Sequence, residues 1–238
     1  MPVPSESALV MEDVFFLSGM NRLHGRLAYP EAGDVWGAVV LAGPQPLLGG
    51  TMDNNVVRSL AETLAGQRLL TLRFDYRGVG RSQGPRADVL DNLTQFWQNG
   101  RVAGELDLVD DIRAAIACAR SAAGADVPIA LVGYSFGCVL LAEAQSSVPD
   151  RPLLVLIAPT LGKHDYDAYL PLANPLLVIE SVGDFASDPA LCRAWFDRLC
   201  GPKELIRRSC DSHFFRGHEA WLAETVADFL NHCWRHPE

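Results

Sequence analysis

The sequence predicts an α/β fold: one domain on a mostly parallel central sheet, with an antiparallel hairpin at its start and helices on both faces. Three observations predict it. Residues 10–16 and 22–29 have β-type composition and flank the turn cluster Ser18-Gly19-Met20-Asn21. Apolar runs and amphipathic segments then alternate to the end of the chain. Between one such run and the helical segment after it stands Gly133-Tyr134-Ser135-Phe136-Gly137.

Taken in order, residues 36–42 form an apolar run of the kind found in strands buried on both faces, and a Pro/Gly-rich loop over 43–50 follows it. Residues 54–65 carry Val57, Leu60, Ala61 and Leu64 at helical spacing, with Gly66 as the stop. A strand over 69–74 comes next, then a helix over 105–122, a strand over 128–132 and a helix beginning just after Ser135. Strands over 153–157 and 176–180, a helix over 189–199, a strand over 204–207 and a helix over 221–234 complete the chain. In such a sheet ligands bind at the carboxyl ends of the strands, and Ser135 lies at one of those ends.

Composition narrows the function classes. A chain of 238 residues with 49% hydrophobic residues has enough apolar surface for one large core. Its net charge of −9, with no cluster of Lys and Arg, argues against nonspecific nucleic-acid binding. Residues 1–7 lack a basic start and an apolar core segment, and no apolar run approaches the length of a bilayer span, so a cytoplasmic protein is expected. The six cysteines show no Cys-x-x-Cys pair, so they are expected to be reduced, with no metal site and no cofactor. A homodimer is compatible with this reading.

A serine hydroxyl is a weak nucleophile near neutral pH and needs an adjacent base, which in turn needs an acid to set its tautomer. One recurring chain order is serine, acid, histidine. Asp184, in the loop after the 176–180 strand, is the expected acid, with Asp188 as rival. His213, between the last strand and the last helix, is the expected base, with His218 and His164 as rivals. His24, His232 and His236 have no such context. The sharp turn at Ser135 aims the Phe136 N–H at the reacting centre. The loop Gly43-Pro44-Gln45-Pro46 supplies a second donor, and since neither proline has an N–H that donor is Gln45.

Four blocks carry a resemblance: PLLGGTMDN over 46–54, LRFDYRGVGRS over 72–82, GYSFG over 133–137 and DSHFF over 211–215. In these the chain resembles the α/β-hydrolase superfamily over nearly its whole length. It is most similar to small bacterial hydrolases without a large cap, including the dienelactone-hydrolase-like and exosortase-A-system-associated groups. The resemblance implies that Asp75 and the glycines at 78 and 80 shape a turn and perform no chemistry. It also brings out two departures. Relatives often read His-Pro-His-Pro where this chain has Gly43-Pro44-Gln45-Pro46, and residues 87–100 look longer here.

Leu90, Leu93, Phe96 and Trp97 in that longer stretch have the spacing of a short helix with one apolar face. It is either a satellite packing element or a small lid that brings Phe96 and Trp97 to the substrate. Tyr134, His164, Tyr166 and Tyr169 are further pocket candidates, with surface exposure the default for the last three. The loop over 159–174 is too short for a cap domain. The expected activity is hydrolysis of an ester or thioester, carrier-bound or small, through an acyl-enzyme. Transfer of the acyl group to another nucleophile, and a non-catalytic binding role, are the alternatives.

Overall fold

A computed structural model describes residues 8–149, 151–210 and 212–235; the N-terminal residues 1–7, Asp211 and His236 lie outside the described residues. The expected hairpin is β1 (Leu9–Ser18) paired antiparallel with β2 (Asn21–Pro30), turning at Gly19 with φ 57°. Six strands follow: β3 (Ala38–Ala42), β4 (Leu70–Phe74), β5 (Ile129–Tyr134), β6 (Leu153–Ile157), β7 (Leu176–Val182) and β8 (Lys203–Ser209). They form one sheet in the order β1-β2-β4-β3-β5-β6-β7-β8. β2 meets β4 antiparallel and every later pairing is parallel.

The helices are α1 (Asn55–Gly66), α2 (Val89–Asn99), α3 (Val109–Ala123), α4 (Gly137–Ala144), α5 (Pro189–Arg198) and α6 (Glu219–Arg235). Strand alternation divides the core in two. Val39 and Leu41 of β3 pack with α1 and α6, while Ala38, Val40 and Ala42 pack on the side of α3, α4 and α5. The apolar spacing read for α1 is its buried face, and the Asn54 side chain caps it by accepting from Val56 N. The helix expected over 105–122 divides instead into a 3-10 turn, Glu105–Leu108, and α3. None of the helices among the described residues is long and apolar enough to cross a membrane.

β4 and β5 lie on opposite sides of β3, so the chain order reverses there and a crevice opens at the carboxyl ends of the strands. The connections that follow β3, β5, β6, β7 and β8 meet over that crevice. The β6–β7 connection holds only a short 3-10 turn, Asp167–Tyr169, and no cap domain.

Two expectations about side chains need correction. Tyr166 and Tyr169 are buried, at 2% and 1% exposure, and neither reaches the crevice. Their rings stack on each other and edge onto Trp195, and Tyr169 Oη donates to Cys138 O, because this loop folds inward over α4 and α5. Leu90 of α2 is exposed, although it was expected on the helix's apolar face.

Candidate active site

Ser135 falls between the end of β5 and the start of α4, and a chain that turns from strand to helix in two residues has little freedom there. Its φ of +56° is disfavoured for any residue with a Cβ. Surrounding bonds hold it: Ser135 N donates to Ile157 O at 2.8 Å and Cys138 N donates to Ser135 O at 3.1 Å. The flanking glycines follow from close approach. A Cβ on Gly133 would stand 2.7 Å from Cys138 N, and one on Gly137 would overlap the Ala42 carbonyl oxygen. Gly137→Ala is therefore expected to destabilise the protein by about 3 kcal/mol, lowering Tm by about 6–12 °C in a thermal melt. An unchanged Tm would mean that α4 and β3 separate more easily than this contact implies.

His213 is delivered by the loop after β8. Ser212 N donates to Ser181 Oγ at the end of β7, and Asn55 Nδ2 at the start of α1 donates to Phe214 O, so the loop is tied on both sides. His213 Nε2 stands 2.8 Å from Ser135 Oγ, and Nδ1 stands 2.8 and 2.9 Å from the two Asp184 oxygens. With a carboxylate on Nδ1 the proton belongs on that nitrogen, which leaves the Nε2 lone pair facing the serine hydroxyl. Asp184 Oδ1 also accepts from Ala186 N at 2.7 Å. The Tyr134 ring stacks on His213 and its hydroxyl donates to His213 O. Burial pushes the Tyr134 phenol well up, so it remains a donor.

The rivals are engaged elsewhere. Asp188 caps α5, accepting from Ala190 N and Leu191 N. His218 N donates to Phe215 O in the turn before α6, and the residue does not line the crevice. His164 does line it, but both its nitrogens have partners: Thr160 Oγ1 at 2.9 Å and Glu105 Oε1 at 3.1 Å.

Phe136 and Gln45 both line the same space as Ser135, and neither backbone N–H is used in a hydrogen bond among the described residues. Two free donors beside a serine are what a developing oxyanion requires. The Gln45 side chain turns away, its Nε2 donating to Glu105 Oε2 at 2.7 Å and its Oε1 accepting from Leu47 N.

Above Ser135 and His213 lies a cavity of about 570 Å³. Leu48, Leu93, Phe96, Trp97, Phe185 and Phe214 form its apolar walls, and Tyr134 and His164 also border it. α2 reaches it as a flanking helix, capped by Asp88 and held by Asn92 Nδ2 donating to Leu47 O. Sequence reasoning missed Phe185, Phe214, Lys163 and Glu105. The two phenylalanines adjoin Asp184 and His213, and that adjacency was a usable signal. Nothing in the sequence marks Glu105 or Lys163.

Residues 48–182, more than half of the chain, match the family described as serine aminopeptidase, S33. An uncharacterized protein of Rickettsia prowazekii (strain Madrid E), RP471, is 25% identical over 228 residues, covering 92% of this chain and 89% of that one. The structure of an alpha-beta serine hydrolase homologue from Coxiella burnetii is similar at 29% identity and a TM-score of 0.73, covering 91% of this chain and 96% of that one. XC6422 from Xanthomonas campestris, described as an a/b serine hydrolase without lid, is similar at 25% identity and a TM-score of 0.75, covering 97% and 96%. The strand order, the strained serine and the family match lead to one conclusion: this chain belongs to the serine aminopeptidase S33 family, within the α/β-hydrolase superfamily.

Proposed function

We propose that the protein hydrolyses carboxylic esters or thioesters with an apolar acyl group, using Ser135 as nucleophile, His213 as base and Asp184 as its orienting acid. The observation that carries this reading is the hydrogen-bonded run Ser135–His213–Asp184 at the floor of an apolar cavity. Ser135 Oγ gives its proton to His213 Nε2 as it bonds to the acyl carbon, and the carbonyl oxygen becomes an oxyanion held by the Phe136 and Gln45 N–H groups. The C–O or C–S bond breaks, and the leaving group takes the proton from His213. Water, deprotonated by His213, then attacks the acyl-enzyme; the bond from the acyl carbon to Ser135 Oγ breaks, Oγ takes the proton back from His213, and the carboxylic acid departs.

One feature favours an ester over an N-terminal peptide. Substrate recognition by an aminopeptidase needs an anion for the α-ammonium group, yet among the described residues no Asp or Glu lines the cavity. Lys163 does, and it has no ion-pair partner among the described residues. Another favours water as acceptor. Trp97 and Leu90 are 76% and 79% exposed, so α2 flanks the mouth without sealing it.

The test is a panel of p-nitrophenyl esters and leucine p-nitroanilide, together with a fluorophosphonate probe. Turnover of apolar acyl esters, no turnover of the anilide and a probe adduct on the Ser135 peptide are expected. The absence of an adduct would overturn the reading. Phe96→Ala should raise KM for an aryl or medium-chain acyl ester about tenfold, since the ring's lost contact is worth about 1–2 kcal/mol. Stability should hold, because α2 buries none of its residues. An unchanged KM across the panel would place the acyl group elsewhere.

A further inference from the structure

Beside the cavity floor is a second histidine–carboxylate contact that the reaction above does not use. Glu105, 2% exposed, gathers three donors, two from distant segments and one from three residues upstream. Gln45 Nε2 at 2.7 Å and Val102 N at 3.1 Å reach its Oε2, and His164 Nε2 at 3.1 Å reaches its Oε1. Behind His164 the chain continues: Nδ1 is 2.9 Å from Thr160 Oγ1, and Thr160 Oγ1 is 3.1 Å from Tyr166 Oη, which also accepts from Thr160 N.

One proton arrangement uses every donor. Tyr166 O–H donates to Thr160 Oγ1, Thr160 O–H donates to His164 Nδ1, and His164 Nε2–H donates to Glu105. A neutral imidazole in this tautomer has no lone pair or proton left for a substrate, although its ring borders the cavity. What the network grips is Gln45. That residue lies between two prolines, which donate nothing, and among the described residues its carbonyl bonds only within its own turn, to Leu48 N and Gly50 N. Its side chain is thus the hydrogen-bonded link from this loop to the 3-10 turn before α3.

We propose that Glu105, steadied by His164, is a positioning residue: through the Gln45 side chain it holds the Gln45 N–H aimed at the oxyanion. Its catalytic consequence rests on the ester-hydrolysis reading. A hole donor works only at hydrogen-bond distance from the developing oxyanion, and a displacement of about 1 Å can cost about a hundredfold. A carboxylate suits the task because it accepts three bonds at once and makes the stronger, charge-assisted kind.

The experiment compares Glu105→Gln, Gln45→Ala and the double variant. With a p-nitrophenyl ester, each single change should lower kcat about ten- to a hundredfold while KM stays within about twofold. The double variant should be no worse than the more damaged single one, because both act through the same contact. Losses that multiply would overturn the proposal, since Glu105 would then act without Gln45. Gln45 is half-buried, so its truncation tests the link even if Glu105→Gln folds poorly. Amide hydrogen exchange supplies a readout independent of turnover. In Glu105→Gln the amides of Leu47, Leu48, Gly49 and Gly50 should exchange about fivefold faster or more, while those of α4 are unchanged. Unaltered exchange would overturn the anchor whatever the kinetics show. If Ser135→Ala kept the wild-type rate, the ester-hydrolysis reading would fall, and exchange alone would decide the anchor.

Discussion

Ser135→Ala is expected to lower kcat/KM for an activated ester by about 10,000-fold or more and to abolish covalent labelling by a fluorophosphonate. Without Oγ no acyl-enzyme forms, and what remains is the background catalysis of a binding cavity and two hole donors acting on water. The fold should survive the change. Ser135 Oγ has His213 Nε2 as its hydrogen-bond partner, and alanine keeps the Cβ already accommodated at φ +56°. Kinetics and a thermal melt on the same preparation check both halves. A variant that melts normally and retains more than about a hundredth of the activity would remove Ser135 from its role.

Asp184→Asn should cost about 10,000-fold in kcat for a different reason. Ala186 N–H already occupies Oδ1, which lies 2.9 Å from His213 Nδ1, so the new amide keeps its oxygen there and places its NH2 at the Oδ2 position, the nearer of the two at 2.8 Å. Facing a donor, the imidazole moves its proton to Nε2 and aims it at Ser135, where it no longer accepts one. Steady-state turnover of the same ester checks this. Asp188→Ala is the matched control. It removes the α5 cap and should cost about 1 kcal/mol of stability with little effect on kcat. The reverse pattern, with Asp188→Ala inactive and Asp184→Asn active, would exchange the two residues' roles.

Much of this site was legible because its parts are local. A strand, a five-residue turn with two glycines and a helix form a contiguous signal, and the glycines are required by backbone contacts that no side chain can replace. Asp184 and His213 were singled out as candidates by chain order and loop position, and the fold places them in a hydrogen-bonded run with Ser135. Asp188 remained a rival because a carboxylate that caps a helix and one that meets an imidazole look alike in sequence; only the direction of the N–H groups around each separates them.

The failures share another cause. Tyr169 and Tyr166 lie in a connection between strands, and composition alone does not say whether such a loop folds outward or inward. Leu93 and Phe96 line the cavity while Leu90, in the first turn of α2, faces solvent, so only part of the helix's apolar stripe meets the rest of the fold.

By itself the sequence determined the element order, the parallel sheet behind an opening hairpin, and a serine at a strained turn with candidate partners downstream. Those follow from periodicity and from short-range sterics, which act within a few residues. Tertiary structure alone decided that Gln45 is held through Glu105 and His164, and that phenylalanines beside Asp184 and His213 wall the cavity. Contacts across 59 and 60 positions of chain arise when packing brings buried polar groups together, and each must then find a partner.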